Sequence, residues 1–119
     1  MADHIPFWKP GADVTLTASA AVTGGQVVMI SGNDSVAPAT AASAAWFGVA
    51  AFDAAAGDKV TVHRGGVHPL TASGAIAAGA NVITAAAGAV ATVGAGTPDQ
   101  VVGIAVSAAA NGKVSVALR

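Results

Sequence analysis

The sequence predicts an all-β fold, a small single-domain sandwich or barrel built from two related halves, and three observations carry that prediction. The first is an internal echo. Ala18-Ser19-Ala20-Ala21-Val22 through Gly25-Gln26-Val27-Val28-Met29 is answered 54 residues later by Ala72-Ser73-Gly74-Ala75-Ile76 through Gly79-Ala80-Asn81-Val82-Ile83, and Val36 meets Val90. Phe47-Gly48-Val49-Ala50 then corresponds to Val102-Gly103-Ile104-Ala105 after a one-residue slip, and Lys59-Val60-Thr61-Val62 to Lys113-Val114-Ser115-Val116 with the offset restored. Two copies are too few for a solenoid, which buries its core between three or more neighbours. The expected organisation is an extended N-terminal arm over residues 1–12 and one β domain over 13–119, with related units at approximately 18–62 and 72–116. What repeats is apolar framework and turn residues rather than reactive side chains, which points toward a structural protein.

The second observation is the company alanine keeps. Alanine is the best helix former, but the chain has no Glu and few Lys, Arg, Gln or Leu, so an amphipathic helix has nothing from which to build its solvated face. The third is punctuation: 15 glycines and many Val, Thr and Ile residues divide the chain into strand-length runs.

In order along the chain, Val14-Thr15-Leu16-Thr17 alternates as a half-buried strand, and Gln26 to Ile30 is an apolar run closed by the Ser31-Gly32-Asn33-Asp34 turn cluster. Pro38 suits the first turn of one short helix across Ala39 to Ala45. Trp46 to Phe52 is a strand, and Lys59 to His63 is another with Val60 and Val62 inward before Gly65-Gly66 interrupts it. Asn81 to Thr84 and Ala89 to Val93 form a hairpin about Ala87-Gly88. Val102, Ile104 and Val106 are expected to share one face of the next strand, and Lys113 to Leu118 closes the domain with Val114, Val116 and Leu118 inward. Gly48 and Gly103, inside strands, mark a bulge or a close backbone approach.

Composition excludes several functions. A net charge of −1 with 9% charged residues provides no basic footprint for nucleic acid or anionic lipid. There is no cysteine for disulfides or thiolate metal sites. Met1-Ala2-Asp3-His4-Ile5-Pro6 has no basic region followed by an apolar stretch, so it is not a secretory signal and the mature chain is expected to start near Met1. The most apolar stretch, Ala37 to Ala56, contains Pro38, hydroxyl residues and Asp53 with almost no Leu or Ile, so no spanning helix is expected and the chain should be soluble.

Candidate chemistry is sparse. His63 and His68, with Asp58 nearby, are the one cluster suggestive of a metal, but no third or fourth ligand stands at a recognisable spacing. No Gly-x-Ser-x-Gly elbow, paired carboxylate motif or phosphate-binding glycine loop is present, so no catalytic, cofactor-binding or metal residue is assigned and the protein is read as not an enzyme. Two features suggest assembly instead. An alanine side chain contributes one methyl group, about 0.8 kcal/mol on burial, so an alanine-rich core is thin and partner subunits are expected to complete it. The opening stretch Ile5, Pro6, Phe7, Trp8, Lys9 and Pro10 concentrates aromatic anchors on a chain that its prolines keep extended. It either docks on another chain or caps its own barrel. Arg64, beside Gly65-Gly66, is either a bidentate donor across an interface or a solvated loop residue.

Ile5-Pro6-Phe7-Trp8-Lys9-Pro10-Gly11, Val22-Thr23-Gly24-Gly25-Gln26-Val27-Val28, Gly48-Val49-Ala50, Ala56-Gly57-Asp58-Lys59-Val60-Thr61-Val62 and Val102-Gly103-Ile104-Ala105 together resemble the capsid decoration, or cement, proteins of tailed bacteriophages. The likeness covers most of the chain and is one of framework and order. It implies a β domain made in the host cytoplasm that assembles as a homotrimer on the outer surface of the virion. There it would bind major capsid protein at three-fold and quasi-three-fold positions and stabilise the shell against internal DNA pressure. The resemblance assigns capsid docking to the stretch from Ile5 to Pro10, with no cofactor, nucleic-acid or membrane partner. The other reading is a small β-barrel binding module that recognises a glycan or a protein on a phage or bacterial assembly, against which stand 4% aromatic residues and the absence of Tyr.

Overall fold

Val14, Leu16 and Ala18 alternate with Thr15 and Thr17 along β1 (Asp13–Ala18), and the alternation becomes a buried and a more exposed face in the computed structural model, which describes residues 12–119. β1 is followed by β2 (Val27–Gly32), β3 (Ser35–Pro38), β4 (Trp46–Ala50) and β5 (Lys59–His63). These close into a barrel in the order β1-β3-β2-β4-β5, with β1 antiparallel to β5 and parallel to β3. β6 (Val67–Thr71), β7 (Asn81–Thr84), β8 (Val90–Thr92), β9 (Val101–Ala105) and β10 (Lys113–Leu118) make a second sheet in the order β6-β10-β9-β7-β8. The fold is all-β.

The two sheets share neighbour order and also register. Ala18 lies opposite Val36 in a parallel pair, and 54 residues on Ala72 bridges Val90, also parallel, across the two edges of the second sheet. The Gly25 amide donates to Ala50 O at 2.8 Å, as the Gly79 amide does to Ala105 O. Lys59 Nζ reaches Thr17 Oγ1 at 2.9 Å, and Lys113 Nζ reaches Thr71 Oγ1 at 3.1 Å. Gly48 and Gly103 sit beside register shifts, between Val28 and Met29 in the first sheet and between Val82 and Ile83 in the second. A Cβ on Gly48 would collide with the carbonyl oxygen of His63, and one on Gly103 with that of Ala117, so close backbone approach is what excludes a side chain at both positions.

Each half fills its own interior. Val14, Leu16, Val28, Val36, Val60 and Val62 pack inside the barrel, and Leu70, Val82, Val90, Val102, Val114 and Val116 inside the second sheet. The second cluster also takes in Val27 and Val49, which β2 and β4 present away from their own barrel. Hydrogen bonds stitch the same seam. The Gly88 amide donates to Ala39 O at 2.9 Å, and Gln26 Nε2 donates to Ala87 O at 3.0 Å. Thr84, which is buried, donates its hydroxyl to Ala41 O and accepts from the Ser43 amide, both at 2.8 Å. Gly88 has a φ of +72°, and a Cβ there would come within 2.6 Å of Gln26 Cβ, so glycine is needed both for the turn and for the seam.

Three sequence expectations require correction. Ala39 to Ala45 forms no helix: its backbone is spent on Gly88 and Thr84, and the 3₁₀ turns lie at Ala86–Gly88 and Pro98–Gln100. Val102, Ile104 and Val106 do not share a face, because the register shift beside Gly103 turns Val102 into the core and leaves Ile104 and Val106 exposed. Two strands, β3 and β6, fall where the sequence suggested none. Pro69 in β6 is tolerated because β6 runs along the edge of its sheet, laddered only to β10.

Candidate functional site

Of the candidates read from the sequence, Ile5, Pro6, Phe7, Trp8, Lys9 and Pro10 lie outside the described residues. The described chain begins at Ala12, whose carbonyl accepts from the Arg64 amide at 2.8 Å. Arg64 stacks its guanidinium 4.2 Å from the centre of the Phe47 ring, a cation–π contact on a ring that is itself packed against the barrel core.

Beside Arg64, the end of β5 gathers polar side chains. His63 Nδ1 lies 2.7 Å from Asp13 Oδ1, and the His63 and His68 rings stack with centroids 5.6 Å apart. His68 Nε2 is 2.8 Å from Gly65 O. Asp58, grouped with these histidines in the sequence reading, precedes β5 and so sits at the opposite end of that strand from His63; Asp13 takes the neighbouring place instead because β1 pairs it with His63. Stacked rings direct their nitrogens edgewise rather than onto a common point. Among the described residues, no group of three His, Cys, Asp or Glu side chains is gathered to hold a metal ion. The chemistry available here is hydrogen bonding and stacking.

The more informative surface is apolar and runs across the second sheet. Strand pairing sets Val67 opposite Ala117, Ala117 opposite Ile104 and Ile104 opposite Asn81, so these four side chains form one row on the outer face. Val67 is 60% exposed and Ile104 45% exposed. Ala117, Ile104 and Asn81 of this row line a groove of about 400 Å³, walled further by Val93, Pro98, Val101, Leu118 and Arg119. The matching row of the barrel is Asp13, His63, Val49 and Val27, in which Val49 and Val27 are 2% and 0% exposed because the second half covers them. Sequence reasoning missed this surface because it put Ile104 on the same face as Val102, which is buried. The available signal was Gly103, whose bulge reverses the alternation.

Comparison with known proteins places the chain beside phage head proteins. The family model described as "Phage cement protein" matches residues 8–119. Among solved structures, the chain is similar to the head fiber gp8.5 N base of bacteriophage phi29, at 24% identity and a TM-score of 0.65, over 90% of this chain and 92% of that one. That likeness establishes the fold. No curated protein sequence matches the chain.

Proposed function

The chain belongs to the phage cement protein family and is a structural protein of the phage head, and we propose that it binds the outer surface of the icosahedral capsid as a homotrimer and acts by binding alone, without catalysis. The proposed sites are three-fold and quasi-three-fold positions, where major capsid protein subunits meet. The family match over residues 8–119 carries this reading. The low charge and the exposed apolar row support it, because each suits a body that buries further surface against neighbouring chains; the interior itself is built mainly of valine rather than of the alanine expected from composition.

The mechanism is mechanical. Packed DNA presses outward, and the shell opens first at junctions between capsomers. A trimer spanning a junction adds contacts that have to break before the junction parts. Once one subunit docks, the other two bind at high effective concentration, so contacts that are individually weak hold firmly together. Ile5, Phe7 and Trp8 are the proposed anchors on the capsid, with Lys9 beside them as a further docking candidate, Pro6 and Pro10 favouring an extended arm, and Arg64 bonded through its amide to Ala12.

The test is co-sedimentation of the purified protein with capsids that lack it, followed by cross-linking on the particle. Saturable binding and species of up to three chains are expected. Absence of binding refutes the capsid role, and dimers as the largest discrete product refute the trimer.

A further inference from the structure

The two halves present equivalent outer faces, and among the described residues only that of the barrel is covered. On the barrel, Val27 and Val49 form a floor bordered by Ala39, Ala41 and Ser43. Into this socket the second half inserts Thr84 and the turn ending at Gly88. Counting 54 residues on from Val27 and Ala39 gives Asn81 and Val93; counting 55, past the slip, from Trp46 and Val49 gives Val101 and Ile104. All four of these residues line the groove of the second sheet. The groove is therefore the same socket, unfilled by any of the described residues.

The plug has a counterpart too. Thr84 and Gly88 correspond to Ile30 and Asp34, at the end of β2 and in the turn that follows it. Ile30 is 40% exposed. The chemistry changes in step. Thr84 is polar and meets backbone polar groups of Ala41 and Ser43, whereas the groove is walled mainly by Val93, Pro98, Val101, Ile104 and Leu118, with Asn81 and Arg119 as its polar members, and suits an isoleucine followed by a polar turn.

We propose that this groove is a socket for a second copy of this chain, filled head to tail by Ile30 and the Asn33–Asp34 turn of the next copy. The contact joins unlike surfaces, so each copy still offers a free plug at one end and a free socket at the other, and such contacts either close into a ring or run on as a filament. The inference rests on the trimer proposed above only for the number three at which the ring closes. The contact itself is argued from the buried twin of the groove.

The test uses the full chain, which has no cysteine of its own. Two variants, Ile30→Cys and Ile104→Cys, are prepared separately, mixed, and treated with a short bis-maleimide, both in solution and on decorated particles. A cross-linked pair that requires both variants is expected in at least one setting, and the doubly substituted chain should cross-link up to closed trimers. Ile104→Cys alone giving paired chains would show a like-to-like contact and overturn the proposal, as would absence of the mixed product in both settings. Ile104→Asp, which alters a half-exposed side chain and should fold normally by circular dichroism, should suppress cross-linking of an Ile30→Cys partner at least tenfold. Mixed cross-linking in solution without capsid binding would keep this contact and overturn the capsid role; capsid binding without the mixed product would do the reverse.

Discussion

Replacing Thr84 by Val keeps the shape of the side chain and removes its hydroxyl, so it isolates the polar staple between the two halves. The hydroxyl donates to Ala41 O and accepts from the Ser43 amide, both at 2.8 Å. Valine leaves both backbone groups without that partner. An unpaired group costs about 1–3 kcal/mol when fully buried; Ala41 is exposed and Ser43 half-buried, so the lower figure applies to each and the expected loss is about 2 kcal/mol. For a chain of this length that lowers Tm by roughly 8 °C. Thr84→Ser keeps the hydroxyl and loses one methyl group, about 1 kcal/mol. Urea denaturation of the three proteins should therefore rank them wild type, then Ser, then Val. A purely apolar seam would instead rank them Val, wild type, then Ser, since Val is the better hydrophobe and Ser lacks the methyl group. A Val variant as stable as wild type, or more stable than the Ser variant, refutes the staple.

Gly48→Ala should cost about 1–3 kcal/mol by overpacking against the His63 carbonyl, with Gly103→Ala similar, while Gly65→Ala, where a Cβ meets nothing within 4 Å, should be nearly neutral in the same urea titration. Removing the residues before Asp13 spares all ten strands, so circular dichroism should be preserved while co-sedimentation with capsids falls steeply; an unfolded product would instead assign the arm to the domain's own core. Burying Ile5, Phe7 and Trp8 is worth roughly 1.5–3 kcal/mol for each side chain. Double replacement of His63 and His68 by Ala removes an exposed pair with Asp13 worth at most about 1 kcal/mol, so Tm and capsid binding should barely change; loss of binding on chelation of the wild-type protein would contradict the metal-free reading.

Much of the fold was legible because its signals are local. Alternation in Val14 to Thr17 and in Lys59 to His63 identified β1 and β5, and the turn residues around Ala87-Gly88 located the hairpin of β7 and β8. What was not legible depends on contacts between halves. The alanines among residues 39–45 favour a helix by propensity, yet the backbone of Ala39, Ala41 and Ser43 is claimed by Thr84 and Gly88 from more than 40 residues away. Simple alternation put Ile104 on the face of Val102, and the register shift at Gly103, which packs its backbone closely on Ala117, explains why the two face opposite ways. Pro69 hid an edge strand, because a proline argues against a strand until its neighbours are known. The apolar surface was misread for the same reason: exposure at Ile104 and burial at Val49 differ only in what covers each residue, and no local pattern encodes that.

The central proposal is that this protein holds a pressurised shell together, and the direct measurement is rupture of DNA-filled particles that lack it, by heat or osmotic shock, with and without added protein. The account predicts saturable addition to the particles and a rise in rupture temperature that follows occupancy. Particles that take up the protein to saturation and still rupture at the undecorated temperature would contradict it.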